Sequence, residues 1–181
     1  KKNKIKKTDR LIGINVNASN FAKQRRWPME NFIKLTDSII EEYGKIKIVF
    51  TGSKEELFHV DKVVKPIKRK RNIVNLAGKI NLKQLAVLMK RFKFFISNDS
   101  GPLHLAVAMN CPTISFFGPE TPILYAPKNS NHTVFYKKFR CSPCITVYNA
   151  KNTTCKDNIC LKAITPKEVM NDINKRMSRL R

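Results

Sequence analysis

Polar side chains stand where a predicted strand gives way to a predicted helix, in the stretch from Ser97 to Ala106. Pro102 predicts the start of that helix, with Gly101 as its N-cap and His104 in its first turn. The first N–H groups of a helix have no partner within the helix, and they can bind an anion. Gly101 lets a phosphate approach the backbone, Ser100 offers a hydroxyl, and His104 can donate a hydrogen bond. This segment is therefore a candidate anion site.

Taken alone, the same segment also fits an ordinary capped turn, in which Asp99 and Ser100 satisfy the helix end. Two further loops favour a binding site. The loop after the first predicted strand carries Lys23 and Arg25, and residues 51–56 again join a strand end to a glycine and a helix start. Because ligands bind at the carboxyl ends of parallel strands, we expect the three loops to form one site.

Short β-branched runs alternate with amphipathic stretches, which predicts an α/β domain with a doubly wound, Rossmann-like parallel sheet. The first helix has Phe32, Leu35 and Ile39 on one face and is closed by Gly44. After Gly118 the alternation weakens into a segment rich in Pro, Asn and Cys. The predicted strands are 11–16, 46–50, 72–75, 92–97 and 112–117, and the predicted helices are 29–43, 54–64, 82–89, 102–109 and 166–181.

The chain of 181 residues is strongly basic, with 36 Lys and Arg against 13 Asp and Glu and a formal net charge of +23. Such an excess indicates an anionic partner, which can be nucleic acid, a phosphorylated small molecule or an acidic membrane surface. The spread of the lysines along the chain also fits a solvated surface. No run of 18 apolar residues and no signal peptide is recognised, so a cytoplasmic location is expected.

The first residue is not Met, and residues 1–10 are basic and without a core. We therefore expect residues 1–10 to be a linker or a truncated interdomain segment, and residues 11–181 to form one domain. On this interpretation the chain was cut out of a longer protein.

The chain resembles glycosyltransferase family 9, the lipopolysaccharide heptosyltransferases. The resemblance covers most of residues 11–173 in the family's order. It rests on residues 13–19, on Arg25-Arg26-Trp27-Pro28 with Phe32 following, on Gly52 with its acidic pair, and on the block 98–122. Within that block the specific parts are Asn98-Asp99-Ser100-Gly101-Pro102-Leu103-His104 and Phe117-Gly118-Pro119-Glu120-Thr121-Pro122.

The resemblance implies a GT-B architecture, in which two Rossmann-like domains face each other across a cleft. This chain looks like the C-terminal half, which binds the nucleoside-diphosphate sugar. The implied reaction is an inverting transfer of a sugar, heptose by the resemblance, to a lipopolysaccharide core or other glycan acceptor, and no cofactor is implied. The general base and the acceptor site belong to the N-terminal domain, so the chain is expected to be an incomplete enzyme.

The resemblance also implies roles for particular residues. Arg25 would neutralise the donor diphosphate, although the family commonly has a lysine there and Lys23 is the alternative. Glu56, or its neighbour Glu55, would contact the nucleoside. The residues implied to bind the diphosphate and the sugar are Asp99, Ser100, Gly101 and His104.

Four cysteines form a C-x2-C pair and, ten residues later, a C-x4-C pair: Cys141, Cys144, Cys155 and Cys160. Four thiolates can hold a structural zinc ion, they can form disulfides in the purified protein, or they can remain free thiols. The resemblance does not itself imply a metal. Cys111 precedes a predicted strand and is expected to be buried.

Two rival functions remain at the level of sequence. A basic nucleic-acid-binding module fits the charge, although no recognised nucleic-acid motif is present. Another sugar-nucleotide enzyme of GT-B shape, such as an epimerase, fits the fold, because fold alone does not fix chemistry. The charge also allows a peripheral contact with the anionic inner membrane.

Overall fold

The computed structural model describes residues 5–18, 20–150 and 152–178. Its strands are β1 (Arg10–Asn15), β2 (Ile46–Thr51), β3 (Ile73–Asn75), β4 (Phe92–Asn98), β5 (Thr113–Phe117) and β6 (His132–Tyr136). They form one parallel sheet in the order β3-β2-β1-β4-β5-β6. The strand order reverses between β1 and β4, and a crevice at the carboxyl ends of such strands is where open α/β sheets bind ligands.

Helices connect the strands and cover the sheet. They are α1 (Met29–Tyr43), α2 (Leu57–Val64), α3 (Leu82–Met89), α4 (Gly101–Ala108), α5 (Pro122–Tyr125), α6 (Ile159–Lys162) and α7 (Pro166–Ser178), with 3-10 turns at Asn20–Arg25, Lys70–Asn72 and Val147–Asn149. Within the described ranges, none of these helices has the length and apolar character needed to cross a bilayer.

The longest helix, α1, forms because its apolar residues recur at helical spacing. Phe32, Leu35 and Ile39 are fully buried on the face that packs on the sheet, and α7 packs beside it. Gly44 ends the helix at φ 43°, in the left-handed region that glycine adopts without steric cost, and its N–H bonds the carbonyl of Ile40.

Alternating side chains of the buried strands supply two hydrophobic clusters, one on each face of the sheet. In β1, Ile12 and Ile14 point into the larger cluster with α1 and α7, whereas Leu11 points into the smaller one. Gly13 lies on the smaller side, where a Cβ would come within 2.5 Å of the Phe92 ring and 2.6 Å of the Phe95 ring. The sheet is therefore buried on both faces around the β1–β4 crevice.

The predicted alternation of strands and helices is confirmed, and the bounds of α1 and α3 agree with the prediction. Among the strands and α-helices of the described residues, four differ by more than one residue at an end. The helix predicted from residue 54 begins at Leu57, because the Glu56 carboxylate accepts a hydrogen bond from the Ser53 N–H at 2.9 Å and residues 54–56 form a turn. The strand β6 and the short helices α5 and α6 lie in the segment for which no regular element was predicted.

Only parts of the two predicted end segments lie within the described residues. Residues 1–4 of the predicted linker, and residues 179–181 of the predicted last helix, lie outside the described residues. Within residues 5–9, Ile5 packs against the smaller cluster, and Asp9 forms an ion pair with Lys47 at 2.7 Å. In α7, Val169 and Ile173 are fully buried, as the helical pattern predicts.

Candidate functional site

The loops that follow β1, β4 and β5 meet at one edge of the sheet. Asn98, the last residue of β4, ties two of them together from a fully buried position. Its amide donates to the carbonyls of Val16 at 3.0 Å and Asn17 at 3.2 Å, and its carbonyl oxygen accepts from the N–H of Trp27 at 2.8 Å. The path of the β1 loop, including Arg25 two residues before Trp27, is therefore fixed by β4.

Trp27 anchors the far end of the same loop in the core. It is 1% exposed, its ring stacks on Phe116 with centroids 4.3 Å apart, and it meets Phe32 edge-on at 4.9 Å. The indole N–H donates to the carbonyl of Ile164 at 2.9 Å. These contacts hold the backbone next to Arg25 in place.

Arg25 turns toward the end of β4 and forms an ion pair there. Its Nη1 lies 3.0 Å from Oδ2 of Asp99, and the two side chains are 16% and 5% exposed. A cation from the β1 loop is thereby held against the segment that was predicted to bind an anion.

The start of α4 differs from the prediction by one residue. Ser100, rather than Gly101, is the N-cap, with extended φ and ψ of −163° and 162°, and Gly101 is the first residue of the helix. The Ser100 hydroxyl makes no capping bond; Asn15 Nδ2 donates to it at 3.1 Å, and it lies 3.0 Å from the Ser97 hydroxyl. These contacts fix the hydroxyl beside the first turn of the helix.

Space for a ligand remains at this helix start. A Cβ placed on Gly101 would meet nothing within 4 Å, and His104 is exposed in the first turn. Pro102 has no N–H, and the N–H of Leu103 donates to the Ser100 carbonyl at 3.0 Å. The N–H of Gly101 and the positive end of the helix dipole are therefore the groups that favour an anion at this point.

The groups described so far surround one cavity of about 240 Å³. Its lining residues are Arg25, Asp99, Ser100, Gly101, His104, Glu120 and Tyr125. Five of the seven were singled out from sequence. Glu120 belongs to the block from Phe117 to Pro122 that carries the resemblance, but no binding role was predicted for it, and Tyr125 was not singled out. The signal that could have assigned a role to Glu120 is its place at a strand end, next to the other two loops.

A second polar group lies after β2 rather than in this cavity. The pKa of Arg26 is lowered by burial, and the nearby charge of Glu56 partly offsets that effect. Burial also lowers the pKa of His59, and the positive charge of Arg26 lowers it further. Arg26 additionally donates to the carbonyl of Ala18 at 2.9 Å. Glu56 and His59, which follow β2, therefore both interact with Arg26 in the loop after β1.

Lys23, the alternative to Arg25, lies exposed on the 3-10 turn Asn20–Arg25 and is not among the residues that line the cavity. Glu55 is exposed as well, before the start of α2. Of the alternatives left open by the sequence, Arg25 lines the cavity and Lys23 does not, and the charge of Glu56 acts on Arg26 of the basic loop.

A larger cleft of about 790 Å³ lies between α1 and α7. Its lining includes Lys34, Asp37 and Lys167, of which no two are ion-paired in the described chain. It is on the helical face and not at the carboxyl ends of the strands. We therefore place the functional site at the smaller cavity, where charged groups and a helix start converge.

All five cysteines are free thiols. The pKa of Cys160 is raised to about 11, mainly by burial and to a smaller extent by the neighbouring Cys144 and Cys155. Cys141 is exposed, whereas Cys111 is buried as predicted. Among the described residues, no group of three or more His, Cys, Asp or Glu side chains is arranged to hold a metal ion.

The chain is similar to known proteins over most of its length. The model of glycosyltransferase family 9 (heptosyltransferase) matches residues 1–154. The lipooligosaccharide heptosyltransferase 2 of Campylobacter jejuni subsp. jejuni serotype O:6 is 26% identical over 173 residues, which are 94% of this chain and 52% of that protein. The chain thus spans about half the length of the curated relatives it matches.

Solved structures share the fold. The ADP-heptose lipopolysaccharide heptosyltransferase II of Escherichia coli superposes with a TM-score of 0.79 at 23% identity, over 97% of this chain and 49% of that one. A family 9 glycosyl transferase from Veillonella parvula DSM 2008 gives 0.76 at 28% identity, over 97% and 48%. Because the family model covers well over half of its residues, this chain belongs to glycosyltransferase family 9, the heptosyltransferases.

Proposed function

We propose that this chain is the donor-binding half of an inverting glycosyltransferase, and that it holds a nucleoside-diphosphate sugar in the cavity at the start of α4. One observation carries the proposal: Arg25, Asp99, Ser100, Gly101 and His104 surround a single cavity. Family membership supports a sugar transfer, and the ADP-heptose in the name of the E. coli structural neighbour supports heptose as the sugar and ADP as the nucleotide.

In the proposed reaction, an acceptor hydroxyl attacks the anomeric carbon of the sugar as the bond from that carbon to the diphosphate oxygen breaks. The hydroxyl proton passes to a general base, and the bonding electrons leave with the nucleoside diphosphate. Negative charge therefore grows on the diphosphate. Arg25, the Gly101 N–H with the positive end of the α4 dipole, and a hydrogen bond from His104 can stabilise that charge.

The remaining roles are assigned to the half of the relatives that this chain does not span. We propose that residues 11–181 form the C-terminal domain of a GT-B enzyme, and that the N-terminal domain supplies the general base and the site for a lipopolysaccharide core acceptor. The length ratio supports this division, since the chain matches 52% of its Campylobacter relative. Glu56, next to Arg26, is proposed to contact the nucleoside.

The acceptor of such an enzyme is lipid-linked, and we propose that the chain works at the cytoplasmic face of an anionic inner membrane. The net charge of +23 supports this, as does the exposed basic run at residues 68–71. Co-sedimentation with vesicles tests it. Binding should require anionic lipid and weaken as salt is raised, and equal binding to neutral vesicles would contradict it.

Titration calorimetry against ADP, UDP, GDP and ADP-heptose tests the donor-binding function. We expect one nucleoside diphosphate and its sugar ester to bind, and no transfer of sugar to a lipopolysaccharide core acceptor by this chain alone. Turnover by the isolated chain would refute the half-enzyme claim. Conversion of the free sugar nucleotide to an epimer would favour the epimerase alternative, and salt-sensitive binding of oligonucleotides without nucleotide binding would favour a nucleic-acid module.

A further inference from the structure

The cavity at the start of α4 contains a second buried carboxylate besides Asp99. Glu120 follows β5, is 2% exposed and lines the same cavity as Arg25 and His104. Asp99 already faces Arg25 at 3.0 Å. A site built only to attract a diphosphate has no use for another negative charge, because a carboxylate and a phosphate repel each other most strongly where water is excluded.

The position of Glu120 is set by the backbone on both sides of it. The carbonyl of Pro119 accepts hydrogen bonds from the N–H groups of Cys144 at 2.9 Å and Ile145 at 2.8 Å. On the other side, the Thr121 hydroxyl accepts from the Ile123 N–H at 3.2 Å and caps α5. Glu120 therefore reaches the cavity from an anchored segment.

The cavity is lined by groups of opposite charge that come from different elements. The open backbone of Gly101, the first turn of α4 and Arg25 suit a diphosphate. Glu120 comes from a different element, the segment after β5. A carboxylate accepts strong hydrogen bonds from hydroxyl groups, and the hydroxyl-rich portion of a nucleoside-diphosphate sugar next to the diphosphate is the sugar that is transferred.

We propose that Glu120 is a specificity-determining residue, whose carboxylate accepts a hydrogen bond from a hydroxyl of the transferred sugar. The inference rests on the proposed function, because it assigns one part of the same cavity. The proposal predicts that removing the Glu120 charge affects the binding of two ligands differently. Loss of the negative charge should weaken binding of the sugar ester and should not weaken binding of the nucleoside diphosphate without its sugar.

Titration of the chain with ADP and with ADP-heptose tests this, in the unaltered protein and in Glu120→Gln. The amide keeps the size of the side chain and removes its charge. We expect ADP-heptose to bind about tenfold more weakly, because a hydrogen bond to a charged acceptor is replaced by a neutral one. ADP should bind equally well or about two- to fivefold more tightly, because the repulsion is relieved.

The matched control is Glu42→Gln, an exposed position near the end of α1 that changes the net charge by the same amount. It should leave both affinities within about twofold, as expected for a surface charge distant from the ligand. If Glu120→Gln changes the two affinities by the same factor, or changes neither, the proposal is overturned. It is also overturned if Glu42→Gln reproduces the effect of Glu120→Gln.

A second variant guards against a folding defect, which a melting curve would reveal. Glu120→Asp keeps the charge and retracts it by one methylene, so ADP should bind as in the unaltered protein while ADP-heptose binds more weakly. Equal losses for both ligands in this variant would mean that Glu120 only supports the fold. If the unaltered chain binds no nucleoside diphosphate, the proposed function itself fails, and this inference fails with it.

Discussion

Nη1 of Arg25 lies 3.0 Å from Oδ2 of Asp99, so a cation from the loop after β1 is bonded to a carboxylate at the end of β4. The two side chains follow the neighbouring strands β1 and β4, between which the sheet order reverses. The pair holds the guanidinium at the cavity. If the proposed diphosphate site is correct, the ligand meets a cation that is already ordered, which lowers the entropy cost of binding.

Replacing Arg25 by Ala should weaken binding of the nucleoside diphosphate about ten- to hundredfold, because a charge-assisted hydrogen bond of about 1.5 to 3 kcal/mol is lost. Calorimetry measures the change. Lys23→Ala is the matched control, since it removes a positive charge two residues away on the exposed side of the same turn. A larger loss for Lys23→Ala than for Arg25→Ala would show that the wrong cation has been chosen.

The same Arg25→Ala change should also destabilise the protein, because Asp99 is left buried without its cation. Breaking such a pair costs about 3 to 5 kcal/mol, with the lower end expected here since Arg25 is partly exposed. Urea unfolding in the absence of ligand measures it. A variant that loses affinity but keeps its full free energy of unfolding would mean that the ion pair contributes little to the fold.

Replacing Gly101 by Ala should weaken diphosphate binding without lowering the stability of the protein. No atom lies within 4 Å of the added Cβ, so the melting temperature should stay within about 2 °C of the parent's, while a diphosphate loses its close approach to the backbone and binds at least about tenfold more weakly. Gly13→Ala is the opposite case, because its Cβ would lie 2.5 Å from the Phe92 ring. It should lower the melting temperature strongly, and similar stability losses for the two variants would contradict the geometry.

Asn98→Ala should cost about 2 to 4 kcal/mol of unfolding free energy, because three buried hydrogen bonds of about 1 kcal/mol each are lost and their partners are left in the core. Urea unfolding of Asn98→Ala and Asn171→Ala makes the comparison, since Asn171 is exposed on α7 and should change stability by less than about 0.5 kcal/mol. Equal losses of unfolding free energy in the two variants would contradict the claim that Asn98 of β4 fixes the path of the loop that carries Arg25.

The thiols should react with iodoacetamide in a definite order. Burial raises the pKa of Cys111 to about 12, and the pKa of Cys160 is raised to about 11, so both stay protonated at pH 8, and the thiolate is the reactive form. Cys141, which is exposed, should be alkylated first by mass spectrometry. Alkylation of Cys160 at the rate of Cys141 would contradict this order, and one zinc per chain by elemental analysis would favour the metal-site alternative.

Elements with a strong local signal could be predicted from the sequence. α1 and α3 combine apolar residues at helical spacing with clear end signals, Gly44 after α1 and the Asn81–Gln84 capping box before α3. β6 was not predicted, although its Thr, Val, Phe and Tyr residues favour a strand. It is a short run in an otherwise irregular segment, and all five of its residues are only half-buried because it is the edge strand beside β5.

The candidate site, like the fold, could be predicted from the sequence only in part. The segment from Asp99 to His104 could be found because a strand end, a proline and a helix start lie together in the sequence. Glu120 lies in a quoted motif, but its place at the cavity, like that of Tyr125, was not predicted, since it depends on β5 lying next to β4. The shift of the N-cap from Gly101 to Ser100 has a similar cause, because Asn15 on β1 holds the Ser100 hydroxyl.

The central claim is that the nucleoside diphosphate binds at the start of α4, and an amide NMR titration of the 20.9 kDa chain with ADP tests it most directly. The largest chemical-shift changes should fall on the N–H groups of residues 99–101, 103 and 104 and of Arg25; Pro102 has no N–H. Residues 68–71, which form an exposed basic run elsewhere, serve as the internal comparison. Changes confined to that basic run, with the signals of residues 99–104 unmoved at saturation, would contradict the account.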